Sequence, residues 1–467
     1  MDDQMIAKAP VFIGALIVFS IVNLAIGLFQ KNKTSMNSIT YASYPNSTEG
    51  LPLFLSISST IVGGGMFFAV SQIGYEAGIA GLFLGISYFF GLCILGALSP
   101  YIRKVMKDNG CLTISQFLEV KYPGKSALFN ASNIYRATIL LIFLMFLSAQ
   151  IITLSFFVNN IFPASEKTSL TAAAIIIFVF NTTVYVFVGG LQKDILTDVW
   201  QMGLVIVGTL LFVFSVNDPL VIKNLDQNYF VGINKGYPFV AGVLLFTGPA
   251  LLTRPDMWQR IIAAKSDSIA KWSFVFSGVI SFLFYAIFTF IGMHAKATGV
   301  LSSENIIFSF MSGTNLSYIS LAILLAFLGA VMSSADTFLN VFSVNFGEIV
   351  LSSNNDDTRL IVMRLSTILA TVIALVIAFT MPDLVDLFAA GFGALLIFLP
   401  ALWASLFVTK TNPAAALWST SIGVFVYLLF VSLFPLEAFV PGLIVSVVTF
   451  FSILKYSNNR SSHTAKD

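Results

Sequence analysis

Ser56-Ile57-Ser58-Ser59-Thr60-Ile61-Val62-Gly63-Gly64-Gly65 interrupts an otherwise apolar run over residues 52–76. A run of about 20 apolar residues crosses the ~30 Å hydrocarbon core of a bilayer, so this one has spanning length. Three successive glycines offer no side-chain packing and weaken a helix from within. Irregular backbone at membrane depth is tolerated only where it is buried in protein or lines a cavity. The stretch therefore reads as a broken span beside a cavity. Its plainer reading is a helix whose glycines let a neighbour pack closely.

A second interruption, Thr247-Gly248-Pro249, falls in the apolar run 236–255. Proline removes a backbone donor and opens the helix, although a simple kink is the plainer reading. The runs between and after these two divide into sets of five, approximately 52–76, 78–100, 126–157, 168–188, 191–216 and then 236–255, 270–294, 316–348, 360–380, 384–408. Five spans per half force the halves into opposite topology, the arithmetic of an inverted repeat with its binding site between the first helices of each half. The two interruptions lie in those first helices. Further runs at 10–29, 412–432 and 435–455 bring the expectation to about thirteen helices in one transmembrane domain, residues 1–467, with core repeats at about 52–216 and 236–408.

Composition agrees. Hydrophobic residues make up 57% of the 467 positions, charged residues 10%, and mean hydropathy is +0.91, whereas about a quarter of a soluble domain is charged. A formal net charge of +2 gives no footprint for nucleic acid. Cys93 and Cys111 lack the spacing of a disulfide framework or metal site. The first run, Pro10 to Phe29, follows Asp2 and Asp3 and has no small-residue cleavage site, so it reads as a retained span.

Orientation follows from lysine and arginine in alternate loops. With the amino terminus outside, the inner loops hold Lys31, Lys33, Arg103, Lys104, Lys107, Lys121, Lys125, Arg254, Arg260, Lys265, Lys271, Arg359 and Lys410. The outer segments keep Lys8, Lys167, Lys223, Lys235 and Lys296. The carboxyl terminus is then cytoplasmic.

Oxygen ligands for a hard cation are concentrated in Ala330-Val331-Met332-Ser333-Ser334-Ala335-Asp336-Thr337. Positions 330, 333, 334 and 337 share one helical face. A single serine in such a helix ordinarily bonds back to its own preceding turn; two beside an intramembrane carboxylate suggest more. Asp198, after Gly189-Gly190-Leu191-Gln192-Lys193, is a second intramembrane acid, either an ion ligand or an interfacial residue favoured by the helix dipole. Arg136 reads as an interfacial anchor or a partner for one of these acids. His294 and His463 lie at or beyond span ends, and no nucleophile–base or metal spacing points to an enzyme.

The segment Gly189-Gly190-Leu191 through Thr197-Asp198-Val199-Trp200-Gln201 resembles the signature of the sodium:solute symporter family, whose members share a leucine-transporter-like inverted-repeat fold. Thr113-Ile114-Ser115-Gln116-Phe117-Leu118-Glu119, Asp256-Met257-Trp258-Gln259-Arg260 with Ala263-Ala264-Lys265-Ser266, and Ser333-Ser334-Ala335-Asp336 are similar to further family motifs. The resemblance implies a sodium site formed by the carbonyls of Ser59, Val62 and Ala330 and the hydroxyls of Ser333 and Ser334. It also implies candidates for a second cation in Asp198, Ser333, Asp336 and Thr337. Asp336 stands where certain members have serine, which leaves the ion count open.

For the solute, Ile61 and Met66 replace the polar residues of sugar-carrying members. The candidate lining is Thr60, Gly64, Met66, Phe67, Ser71, Gln72, Gln150, Phe246 and Thr247, with Phe68 as a further apolar wall. No charged side chain stands in the unwound region, and half-helix amino termini can receive a carboxylate. The expectation is a plasma-membrane symporter, in a bacterium that of the inner membrane. It acts as a monomer in the lipid bilayer, carrying an amino acid, monocarboxylate or similar metabolite with sodium and no other cofactor. A proton-coupled carrier is the nearest alternative, and a sensor or channel on the same fold the next.

Overall fold

The computed structural model of this chain describes residues 8–29, 36–124, 126, 129–162, 167–216, 218–303, 306–308, 318–350, 355–380, 393–408, 411–433 and 437–463. In chain order the helices are α1 (Lys8–Phe29), α2 (Ser38–Ser43), α3 (Gly50–Ile61), α4 (Gly64–Ala77), α5 (Leu82–Asp108), α6 (Ile114–Lys121), α7 (Ala131–Ile161) and α8 (Lys167–Ser215). They continue as α9 (Gly236–Leu251), α10 (Pro255–Ala263), α11 (Asp267–Ala297), α12 (Tyr318–Val350), α13 (Asp356–Thr380), α14 (Leu399–Phe407), α15 (Pro413–Val431) and α16 (Phe439–His463). The protein is a multi-pass membrane protein. Among the described residues nine helices are long and apolar enough to cross a bilayer, ten if α9 and α10, which meet at 45°, form one span.

The thirteen expected spans are not separately visible, for reasons of geometry. Two continuous runs, Gly64–Asp108 and Thr168–Phe214, have 45 and 47 residues, each about twice the ~20 that one crossing needs. The expected eleventh span, 384–408, lies partly outside the described residues.

Within α8 the chain doubles back. Gly190 has φ 50° and ψ −139°, outside the helical region. Tyr185 Oη and Thr197 Oγ1 both donate to Asp336 Oδ2, at 2.6 and 3.4 Å. On a straight helix those two residues would be separated by about 18 Å at ~1.5 Å per residue, too far for both to reach one atom. The two legs correspond to the expected fifth and sixth spans. A Cβ at Gly190 would strike the backbone oxygen of Tyr41, so the turn accepts only glycine.

The helix α12 is the central post. Its most apolar window is 83% buried, against 22–67% for the other spans. It packs along α8, while α5 packs along α11. Without a hydrophobic drive between helices in lipid, close backbone approach supplies the packing. Gly292 of α11 meets the Ser71 carbonyl of α4 so closely that no Cβ fits between them.

Candidate cation and solute site

The first break is where the glycines stand. Helix α3 ends at Ile61, Val62 leaves the helical region at φ −90°, ψ 60°, and extended Gly63 precedes α4. A Cβ on Gly63 would lie 2.5 Å from Ser334 Oγ, and one on Gly64 would strike Val331 Cγ2. Both readings of the glycines therefore hold together. The helix is broken, and α12 presses against the break.

Oxygens gather at this contact. Ser333 Oγ donates to the carbonyls of Ser59 at 3.1 Å and Ala330 at 3.2 Å, and Ser334 Oγ donates to Ala330 at 3.2 Å. Ser59, Val62, Ala330, Ser333 and Ser334 are all buried. Two hydroxyls and two carbonyls from two helices thus meet beside the helix break at Val62 and Gly63, a donor set that suits a hard cation. The expected back-bonding of the serines is present too, but Ser333 also bridges to α3.

One helical turn along α12 lies a buried acidic cluster. Asp194, Asp198 and Asp336 each present a carboxylate oxygen, all within 4.8 Å of one another. Asp194 and Asp198 occupy successive turns of the second leg of α8, on one face. Arg260 of α10 enters the cluster. Its Nη2 donates to Thr60 Oγ1 and Thr337 Oγ1, both at 2.8 Å, and lies 3.1 Å from Asp198 Oδ2 and 3.4 Å from Asp194 Oδ2. Its Nε donates to Ser56 Oγ at 2.9 Å, and Ser56 donates to Asp198 Oδ2 at 2.6 Å. Asp336, the third acid of the cluster, also accepts from Tyr185, Thr197 and the Thr337 amide.

Several sequence expectations are thereby corrected. Arg254 and Arg260 are not exposed charges: both are buried, Arg260 within α10 and Arg254 in the link before it, in a bidentate pair with Asp256 at 3.0 and 2.6 Å. Arg136 pairs with neither Asp198 nor Asp336 but with Glu119 at 2.8 Å and Glu348 at 3.2 Å. The second break is displaced. Helix α9 runs through Gly248 and Pro249 to Leu251, and the chain restarts at Pro255. Arg254 precedes that proline, which biases it to extended backbone, and Pro255 suits the first helical position. Asp194, Ser56, Tyr185 and Thr197 escaped the sequence reading.

The two short half-helices α3 and α10 are tied at one end. Residues 46–48 pair with 262–265 through Asn46 N to Ile262 O at 3.0 Å, Thr48 N to Ala263 O at 2.8 Å and Lys265 N to Thr48 O at 2.8 Å. Arg103 adds bonds to the Ile261 and Ala264 carbonyls at 2.8 and 2.5 Å.

The solute candidates are spread along this core. Phe67 packs on Phe288 and Phe327, while Phe68 is ringed by Phe156, Phe157, Phe308 and Phe327 at centroid distances of 5.3–6.4 Å. Met66 and Ser71 are buried on the same helix, and Gln150 Oε1 on α7 is buried without a hydrogen bond. Thr60 belongs to the Arg260 cluster. Gln72 bonds Glu76 at 2.9 Å in an exposed setting, and Thr247 bonds back to Val243 at 2.8 Å. The Phe246 side chain lies outside the described residues.

Comparison with known proteins supplies the relationship. The sequence profile of the sodium:solute symporter family matches residues 46–220. A sodium/pantothenate symporter of Haemophilus influenzae is 22% identical over 456 residues, 90% of each chain. A spermidine transporter of Candida albicans is 25% identical over 279 residues, 58% of this chain but only 49% of that protein, so the match spans about half its length. A solved Na+-coupled sialic acid symporter, substrate-bound and outward-open, superposes with a TM-score of 0.74 at 15% identity, over 94% of this chain and 96% of that one. The sodium:solute symporter family match thus takes in the motifs at 113–119 and 189–201, while those at 256–266 and 333–336 lie beyond it, and the superposition shows a leucine-transporter-like fold.

Proposed function

We propose that this chain carries a small organic solute into the cell together with sodium, by alternating access. The observation that carries the proposal is the meeting of Ser59, Ala330, Ser333 and Ser334 oxygens at the break in the first core helix. Sodium bound there ties α3 and α4 to α12 and favours the solute-ready arrangement. One charge moving down 100 mV releases about 2.3 kcal/mol, and each tenfold concentration ratio adds about 1.4 kcal/mol. The amino terminus is outside, the carboxyl terminus cytoplasmic, and the chain acts as a monomer.

The solute is neutral or anionic: an amino acid, a monocarboxylate or a related metabolite. Pantothenate and sialic acid, named for two of the similar proteins, both bear a carboxylate. The amino-terminal end of α4, a helix of 14 residues, lies at the break, where such a group is favoured. The test is a thermal-shift screen of such metabolites with sodium or potassium. A metabolite that stabilises the protein only with sodium supports the proposal.

Proton coupling is a second reading, favoured by the three buried carboxylates within 4.8 Å. It requires uptake into proteoliposomes that persists without sodium and collapses with the pH gradient. That result would displace the sodium reading.

A further inference from the structure

We infer that the Arg260 guanidinium is the resident cation of the acidic cluster, standing where a second coupling sodium would sit, so that the chain binds one sodium, at Ser333 and Ser334. The inference rests on the sodium-coupled reading above and adds its stoichiometry.

The geometry around one nitrogen carries it. Arg260 Nη2 has Thr60 and Thr337 hydroxyls at 2.8 Å and Asp198 and Asp194 carboxylates at 3.1 and 3.4 Å, four oxygens from α3, α8 and α12. Oxygens arranged so from several helices are what a hard cation requires, and here a guanidinium, permanently charged, takes them. Arg260, Asp194 and Asp198 are each fully buried. The residues that would hold a second sodium are divided among other duties. Asp198 and Thr337 face Arg260, Asp336 accepts from Tyr185, and Ser333 faces Ser59 and Ala330. A sodium on Asp198 and Thr337 would be set directly against the guanidinium, and like charges at such a distance repel strongly away from water.

The guanidinium is also tethered. It stands on α10, which residues 46–48 and Arg103 hold in place. A charge fixed to the chain is not delivered to the other side, so it offsets one negative charge of the cluster without drawing on the ion gradient. Asp198 Oδ1 accepts no hydrogen bond. Removing the guanidinium therefore leaves a carboxylate with free lone pairs beside Thr337 and Asp194, a site that an added cation can fill.

The experiment counts sodium directly on the purified full-length chain, with radioactive sodium in an equilibrium binding assay at constant ionic strength. Wild type binds one sodium per chain with a Hill slope of 1, and Ser334→Ala weakens that binding at least tenfold. Arg260→Gln raises the count to two, and Arg260→Gln with Asp198→Asn returns it to one. Two sodium ions on wild type, one of them lost in Asp198→Asn, overturns the inference and leaves the sodium reading intact. A count that stays at one in folded Arg260→Gln also overturns it. No saturable sodium binding overturns the sodium reading itself. If Arg260→Gln does not fold, the wild-type count and Hill slope decide the matter alone.

Discussion

Gly63 and Ser334 face each other so closely that a methyl group on the glycine would stand 2.5 Å from the serine hydroxyl oxygen. Gly63→Ala must therefore turn or displace that hydroxyl. Sodium-dependent thermal stabilisation is expected to need at least tenfold more sodium in this variant. Gly65→Ala is the control, because a Cβ there meets nothing within 4 Å. Equal sodium dependence in both variants would contradict the site.

Ser334→Ala removes a hydroxyl while leaving the Ala330 and Ser59 carbonyls in place. Sodium activation of uptake should shift tenfold or more, equivalent to about 1.4 kcal/mol, with maximal uptake at saturating sodium little changed. Uptake measured over a sodium series in proteoliposomes checks the split. An unshifted activation curve removes Ser334 from the ligand set.

Glu348 at the end of α12 accepts from Thr113 Oγ1 at 2.8 Å, Ser115 Oγ at 2.7 Å, Gln116 Nε2 at 3.0 Å and Arg136 Nε at 3.2 Å. Taking one partner out of a buried ion pair costs about 3–5 kcal/mol. Glu348→Ala should therefore lower the unfolding temperature by several degrees. Glu119→Ala, on the 55% exposed partner of the same arginine, should cost less than about 1 kcal/mol. Thermal unfolding in detergent compares the two.

Burial, and next the negative charge of Glu348, push the Cys111 thiol up to about 11. Its sulfur also donates to the Asn109 carbonyl at 3.3 Å. A thiol raised by about two units holds ~100-fold less thiolate at pH 7.5, and the thiolate is the reacting species. In Cys93→Ala protein, alkylation of Cys111 should accordingly be at least that much slower than for an ordinary cysteine. The rate should climb with pH beyond 10. Fast labelling at neutral pH would show that this loop opens.

The sequence carried the apolar runs, the glycine break and the serine pair because each is a local pattern with a local cause. Ser333 reaches the Ser59 and Ala330 carbonyls and Ser334 that of Ala330. Arg260 was misplaced for a physical reason: on hydropathy alone, a buried cation and a loop cation look alike. Its partners arrive from 62 and 66 positions away, beyond any local pattern. Asp194 had a usable signal, since an acid four residues before Asp198 lies on the same helical face. The displaced break also had one, in the pair Arg254-Pro255.

Translation delivers Asp194 and Asp198 before it delivers Arg260, whose codon lies 66 and 62 positions later. At about 5–20 residues per second, the two acids wait several seconds for their cation. Each carboxylate costs up to about 2.5–3.5 kcal/mol at the bilayer centre. The turn at Gly190 shortens their reach into the bilayer, because it places the two acids four and eight residues into the incoming leg, about 6 and 12 Å along it. Release of this hairpin into lipid is thus best timed after α10 has emerged, which makes the insertion machinery the first environment that must hold these acids.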